Sequence, residues 1–112
     1  MSDNSLDMDE NLEALLAYLL GWVTGIIFYV LEDESKFVRF HAMQSILTFL
    51  PIHIIVVIIG TGFGYYFGFF GMIAQIIGII AFALWLILML KAYKGEWFKL
   101  PYIGDYAEDF VD

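Results

Sequence analysis

Residues 40–90 read FHAMQSILTFLPIHIIVVIIGTGFGYYFGFFGMIAQIIGIIAFALWLILML, and none of them is Asp, Glu, Lys or Arg. A water-soluble domain spreads charge over its whole surface, and a window this long without charge leaves too little polar surface to face water. Hydrocarbon is the solvent that fits. Residues 14–31 form a second uncharged window. The whole chain agrees: 62% of its 112 residues are hydrophobic and 16% are charged, with a mean hydropathy of +0.81. Ordinary soluble domains are about 45–50% apolar. The length suits one domain.

Working outward from these windows gives an all-α integral membrane bundle of three transmembrane helices, over about 12–31, 37–59 and 71–90. Each run holds about 20 residues, which at 1.5 Å rise covers about 30 Å, one hydrocarbon core. Spanning strands would be about half as long and would alternate apolar with polar residues. Glu32-Asp33-Glu34-Ser35-Lys36 separates the first two runs with charge, and the glycines from Gly60 to Gly64 argue for a turn before the third. Pro51 removes a donor inside the second helix, so a kink is expected there. The domain plan is an acidic tail over 1–11, carrying Asp3, Asp7, Asp9 and Glu10, a helical membrane domain over 12–92, and a polar, aromatic cytoplasmic segment over 93–112. The acidic start lacks the basic region and small-residue cleavage site of a signal peptide, so the first helix is expected to be retained.

Orientation follows from the basic residues. Lys36 and Arg39 precede the second span, and Lys91, Lys94 and Lys99 follow the third. With three crossings these five share one face, which the positive-inside rule makes cytoplasmic. The N-terminus and the glycine-rich loop are then expected outside a cell membrane, with the C-terminus inside. Tyr65, Tyr66 and Phe67 on one side, and Trp97, Phe98 and Tyr102 on the other, suit interfacial aromatic belts.

Several residues inside the spans could carry specificity. Ala17, Gly21 and Gly25 recur every fourth position on the first helix; Gly71, Ala74, Gly78 and Ala81 form a similar stripe on the third. Small residues let helix backbones approach closely in lipid, within one subunit or in a homo-oligomer. On the second helix His41, Gln44, Ser45 and Thr48 fall at i, i+3, i+4 and i+7, a single polar stripe. Such groups need partners at bilayer depth. They serve either as interhelical hydrogen bonds or as the lining of a pathway. His53 and Gln75 are further polar side chains at membrane depth, and an intramembrane histidine is a functional candidate by default. Arg39, His41, Gln44 and Glu96 are expected to share one cytoplasmic polar cluster.

Composition also sets limits. The net charge of −8 is not a nucleic-acid footprint, and the chain has no cysteine. Two histidines, with no carboxylate inside the apolar runs, make no convincing metal site, and no nucleophile has a recognisable base. No catalytic residue and no cofactor is expected. The expected partners are the bilayer, a second copy of the chain and other membrane proteins.

Residues 33–45, DESKFVRFHAMQS, resemble the signature of a widespread prokaryotic family of small membrane proteins: an acidic pair, a small residue, then F-V-R-F-H-A-x-Q. Residues 91–101, KAYKGEWFKLP, are similar to that family's closing A-x-x-G-E-x-[FY]-x-x-P, and 103–108, IGDYAE, to its archaeal branch. The family is more remotely similar to the channel-associated subunit of the chloroplast inner-envelope import translocon. That resemblance implies a helical membrane protein and permits a protein-translocation role, with no catalytic residues to carry over. The sequence thus points first to a self-associating, non-enzymatic membrane scaffold, and second to a transport component.

Overall fold

The first apolar run does not form the single helix expected over 12–31. In the computed structural model, which describes residues 8–63 and 68–111, it divides into α1 (Glu10–Leu19) and α2 (Trp22–Leu31). Gly21 between them has φ +62°, a left-handed conformation open to glycine and costly to other residues. Asp9 caps α1 by accepting from the Asn11 amide, and Glu10 and Glu13 in the first turn complement the positive helix end. Ten residues per arm give about 15 Å each, half a hydrocarbon core.

The two arms run antiparallel. At the start of α1, Ser35 donates a hydrogen bond to the Glu10 carboxylate, and Asn11 lies against Gly95. Just past α2, the Glu32 carboxylate accepts from the amide of that same Ser35 at 2.9 Å. Tyr18 near the tip of α1 instead reaches Gln44, further along the next helix. The beginning of α1, the loop after α2 and the end of the last long helix therefore stand at one end of the molecule. Three crossings would have put the start of α1 opposite that loop. The break at Gly21 returns the chain instead.

Ser35 caps α3 (Lys36–Val57), its hydroxyl accepting from the Val38 amide. Pro51 lies inside α3, which continues through it. A π-helical segment, Ile58–Phe63, extends α3, so Gly60 and Gly62 stay helical where a turn was expected. The antiparallel α4 (Gly68–Tyr93) begins before the expected position 71. The positions of Tyr65, Tyr66 and Phe67, and of Asp3 and Asp7 in the tail, lie outside the described residues. A further helix, α5 (Ile103–Val111), forms in the C-terminal segment. Among the described residues every regular element is helical.

Two helical stretches, Lys36–Gly62 and Gly68–Tyr93, are long and apolar enough to cross a membrane. The packed core lies at the end that carries Lys36 and Tyr93. Ala14 and Tyr18 of α1 meet Phe37, Val38 and Phe49 of α3, Leu88 and Ala92 of α4, and Leu100. Phe40 and Met43 pack with Ala107 of α5 in a second cluster. Beyond the hairpin tip, α3 and α4 are largely uncovered, with Ile58 55% and Ile79 69% exposed.

Candidate functional site

The polar stripe of α3 points into the packed end of the bundle. Gly95, at φ +80°, closes α4: its amide bonds the Ala92 carbonyl while the Glu96 amide bonds that of Lys91. This glycine-terminated helix end satisfies two carbonyls and turns the chain sharply. Residues 96–100 then pass beside α3, where the stripe receives their backbone.

The hydrogen bonds determine one another. His41 Nε2 lies 2.8 Å from the Glu96 carbonyl oxygen. A carbonyl only accepts, so Nε2 carries the proton and Nδ1 is left as acceptor. The Tyr18 hydroxyl, 2.7 Å from Nδ1, therefore donates to it. The Gln44 amide nitrogen donates to the Tyr18 hydroxyl and to the Phe98 carbonyl, both at 2.9 Å. Its carbonyl oxygen accepts from the Leu100 amide at 2.9 Å. His41 and Gln44 are fully buried. The rings of Phe37, Phe40 and Tyr18 meet His41 edge-on at 4.7, 5.0 and 5.4 Å. A neutral imidazole satisfies every member, so the network is a polar lock joining α1, α3 and the C-terminal strap.

A second set of bonds serves the break at Gly21. Thr24 Oγ1 accepts from the Leu20 amide at 3.0 Å and reaches the Ala17 carbonyl at 3.2 Å. Ser45 donates to the Gly21 carbonyl at 2.8 Å, and Trp85 of α4 donates to the Tyr18 carbonyl at 2.7 Å. Broken helices in an apolar medium require such replacement partners. A Cβ at Gly25 would lie 2.9 Å from the Ala42 carbonyl oxygen, so α2 and α3 touch there at backbone distance.

The other sequence candidates divide. Arg39 has partners of its own: Nη1 donates to the Tyr29 and Glu32 carbonyls at 2.8 Å, and the guanidinium lies 4.1 Å from the Tyr29 ring centroid. It binds the carbonyl end of α2, where a cation is favoured. Glu96 reaches His41 through its backbone, while its carboxylate pairs with Lys91 at 3.3 Å. Thr48 is buried. Ala17 and Gly25 are packed within the chain, as is Ala74, whose Cβ would sit 3.8 Å from one added at Gly60. Gly71 and Ala81 are half-buried, and nothing lies within 4 Å of a Cβ at Gly78. His53 is exposed beside the Trp22 ring (centroids 6.1 Å apart), and Gln75 is exposed on α4. Both border the uncovered half.

Sequence reasoning missed Tyr18, Thr24 and Trp85. A hydroxyl at each of the first two, inside an uncharged run, was the available signal, since buried polar tips seek partners.

Residues 9–107 match the magnetosome magnetite crystal formation protein family. A UPF0132 membrane protein of Methanocaldococcus jannaschii is 47% identical over 110 residues, covering 98% of this chain and 96% of its own length. A UPF0132 membrane protein of Archaeoglobus fulgidus is 46% identical over 104 residues, covering 93% and 97%. No solved structure matches. The match takes in all of the hairpin, both long helices and the strap that the polar lock holds, so this chain, a membrane protein, belongs to the magnetosome magnetite crystal formation protein family.

Proposed function

We propose that the protein is a non-enzymatic membrane scaffold that self-associates through the uncovered half of α3 and α4. The observation that carries this reading is the division of the small residues. Ala17 and Gly25 are used inside the chain, whereas Gly78 meets nothing within 4 Å and Gln75 beside it is exposed. Small residues and amides on a lipid-facing helix favour helix association, at about 0.6–2 kcal/mol per interhelical hydrogen bond. Three of the four stripe residues are already engaged: His41, Gln44 and Ser45 bond within the chain, while the buried Thr48 hydroxyl has no hydrogen-bond partner. That favours the scaffold over a translocation path along the same stripe. Among the described residues no three His, Cys, Asp or Glu side chains gather to hold a metal ion, so the proposal rests on helix packing and not on iron ligation.

The membrane placement belongs to the same reading. α3 and α4 cross the bilayer, while α1 and α2 enter about halfway and return to the side of Lys36. All five basic residues stand at that end, which the positive-inside rule makes cytoplasmic, and the start of α1 lies there too. In right-side-out vesicles, cysteines at Ser2→Cys and Tyr102→Cys should both react with an impermeant maleimide only after permeabilisation. Reaction of Ser2→Cys alone from outside would restore three crossings. Crosslinking in native membranes should give an oligomer that Gly78→Leu abolishes without lowering monomer thermal stability in detergent. A wild-type chain that never crosslinks to itself would end the scaffold proposal.

A further inference from the structure

α5 has three distinct faces. Gly104 and Ala107 are buried, Ala107 against Phe40 and Met43 of α3. Tyr106 and Phe110, four apart, form an exposed aromatic face, at 64% and 57%, and Tyr102, just before the helix with φ +65°, is 82% exposed. Asp105 and Asp109 are also exposed. At 100° per residue Tyr106 and Phe110 are centred about 110° from the buried Gly104 and Ala107, and the acidic Asp105 and Asp109 lie about 100° away on the other flank. A helix free in water has no reason to collect its two large exposed rings on one face and its carboxylates on another. A helix in the membrane interface does, because rings with polar tips settle at headgroup level and carboxylates turn to water.

We infer that α5 is an interfacial helix whose Tyr106-Phe110 face rests in the lipid of the cytoplasmic leaflet. This rests on the membrane placement proposed above. This face continues the lipid-facing surface of the hairpin. The Tyr29 hydroxyl of α2 bonds the Phe110 carbonyl at 3.4 Å, and Val30 and Leu31 beside it are 70% and 53% exposed. The charge pattern selects the kind of lipid. Lys99 is drawn into bonds with Glu108 at 2.7 Å and Asp105 at 3.7 Å, and the Glu108 hydrogen bond raises the ammonium pKa, with both carboxylates adding to the shift. Lys99 is thus turned to its own helix, Arg39 is spent on the carbonyl end of α2 and the Tyr29 ring, and the acidic flank repels anionic headgroups. The aromatic face therefore binds by apolar and aromatic contact with neutral or zwitterionic lipid.

The chain has no cysteine, so single nitroxide labels can be placed without background. Full-length protein in phosphatidylcholine nanodiscs would carry labels at Asp105→Cys, Tyr106→Cys, Asp109→Cys and Phe110→Cys, with Ile79→Cys on α4 as the reference for a spanning position. Collisions with dioxygen report lipid, and collisions with a water-soluble nickel chelate report water. Tyr106→Cys and Phe110→Cys should favour dioxygen several-fold over Asp105→Cys and Asp109→Cys, which should favour nickel. If all four favour nickel while Ile79→Cys favours dioxygen, α5 lies in water and the inference is overturned. If Tyr106→Cys and Phe110→Cys are immobilised and shielded from both reagents, a protein covers the aromatic face, and the inference is overturned likewise. Loss of the dioxygen preference at Ile79→Cys would instead overturn the membrane placement, and α5 with it.

Discussion

Gln44→Leu tests the polar lock most directly. Leucine keeps the volume but removes every hydrogen-bonding group, orphaning the Phe98 carbonyl and the Leu100 amide together. A buried backbone group without a partner costs about 1–3 kcal/mol, so two cost about 4 kcal/mol if no water reaches them. Phe98 is only partly buried, and opening of the strap would admit water to both groups. About 2 kcal/mol is therefore the expected destabilisation of the docked strap, which corresponds to about a 30-fold rise in its open population. Tyr18 keeps its bond to His41, so the α1 contact should persist. Amide hydrogen exchange in detergent micelles reads this locally. The Leu100 amide should exchange about 30-fold faster in Gln44→Leu, while amides in the middle of α4 should be unchanged. An unchanged Leu100 rate would refute the claim that this side chain holds the strap. Equal acceleration throughout α4 would show that the lock and the bundle open as one unit.

Three further outcomes follow from the same geometry. Gly25→Val forces side-chain atoms into the Ala42 carbonyl and the Ser45 Cβ and should lower stability by about 1–3 kcal/mol, read as reduced thermal stability in detergent. Gly21→Ala places a Cβ on a left-handed residue and should cost about 1–3 kcal/mol. It should also loosen the hairpin, seen as faster exchange of the Leu20 amide that bonds Thr24. Arg39→Met removes the cation from the carbonyl end of α2 and should cost about 1–2 kcal/mol, with Arg39→Lys recovering only part because an ammonium lacks the planar face that the guanidinium lays on the Tyr29 ring; equal stability of Arg39→Met and wild type in denaturant titrations would contradict that role.

The uncharged windows alone settled that this is a helical membrane protein. Burying a backbone in hydrocarbon demands internal hydrogen bonding, and helices of this composition provide it. The polar stripe His41, Gln44, Ser45 and Thr48 was legible too, because helical spacing fixes which side chains share a face. What they would face was not. The partners of His41 and Gln44 are backbone groups of 96–100, and nothing in the spelling of that segment distinguishes a docked strap from a tail in water. Gly21 is the clearest case. As one of three small residues at intervals of four it fits a continuous, close-packed helix equally well. Whether it continues the helix or reverses it depends on donors supplied by Thr24, Ser45 and Trp85, and two of those come from α3 and α4. Local sequence sets what a segment can do at low cost. Only the tertiary arrangement supplies the distant hydrogen bonds that make the broken hairpin cheaper than a straight helix.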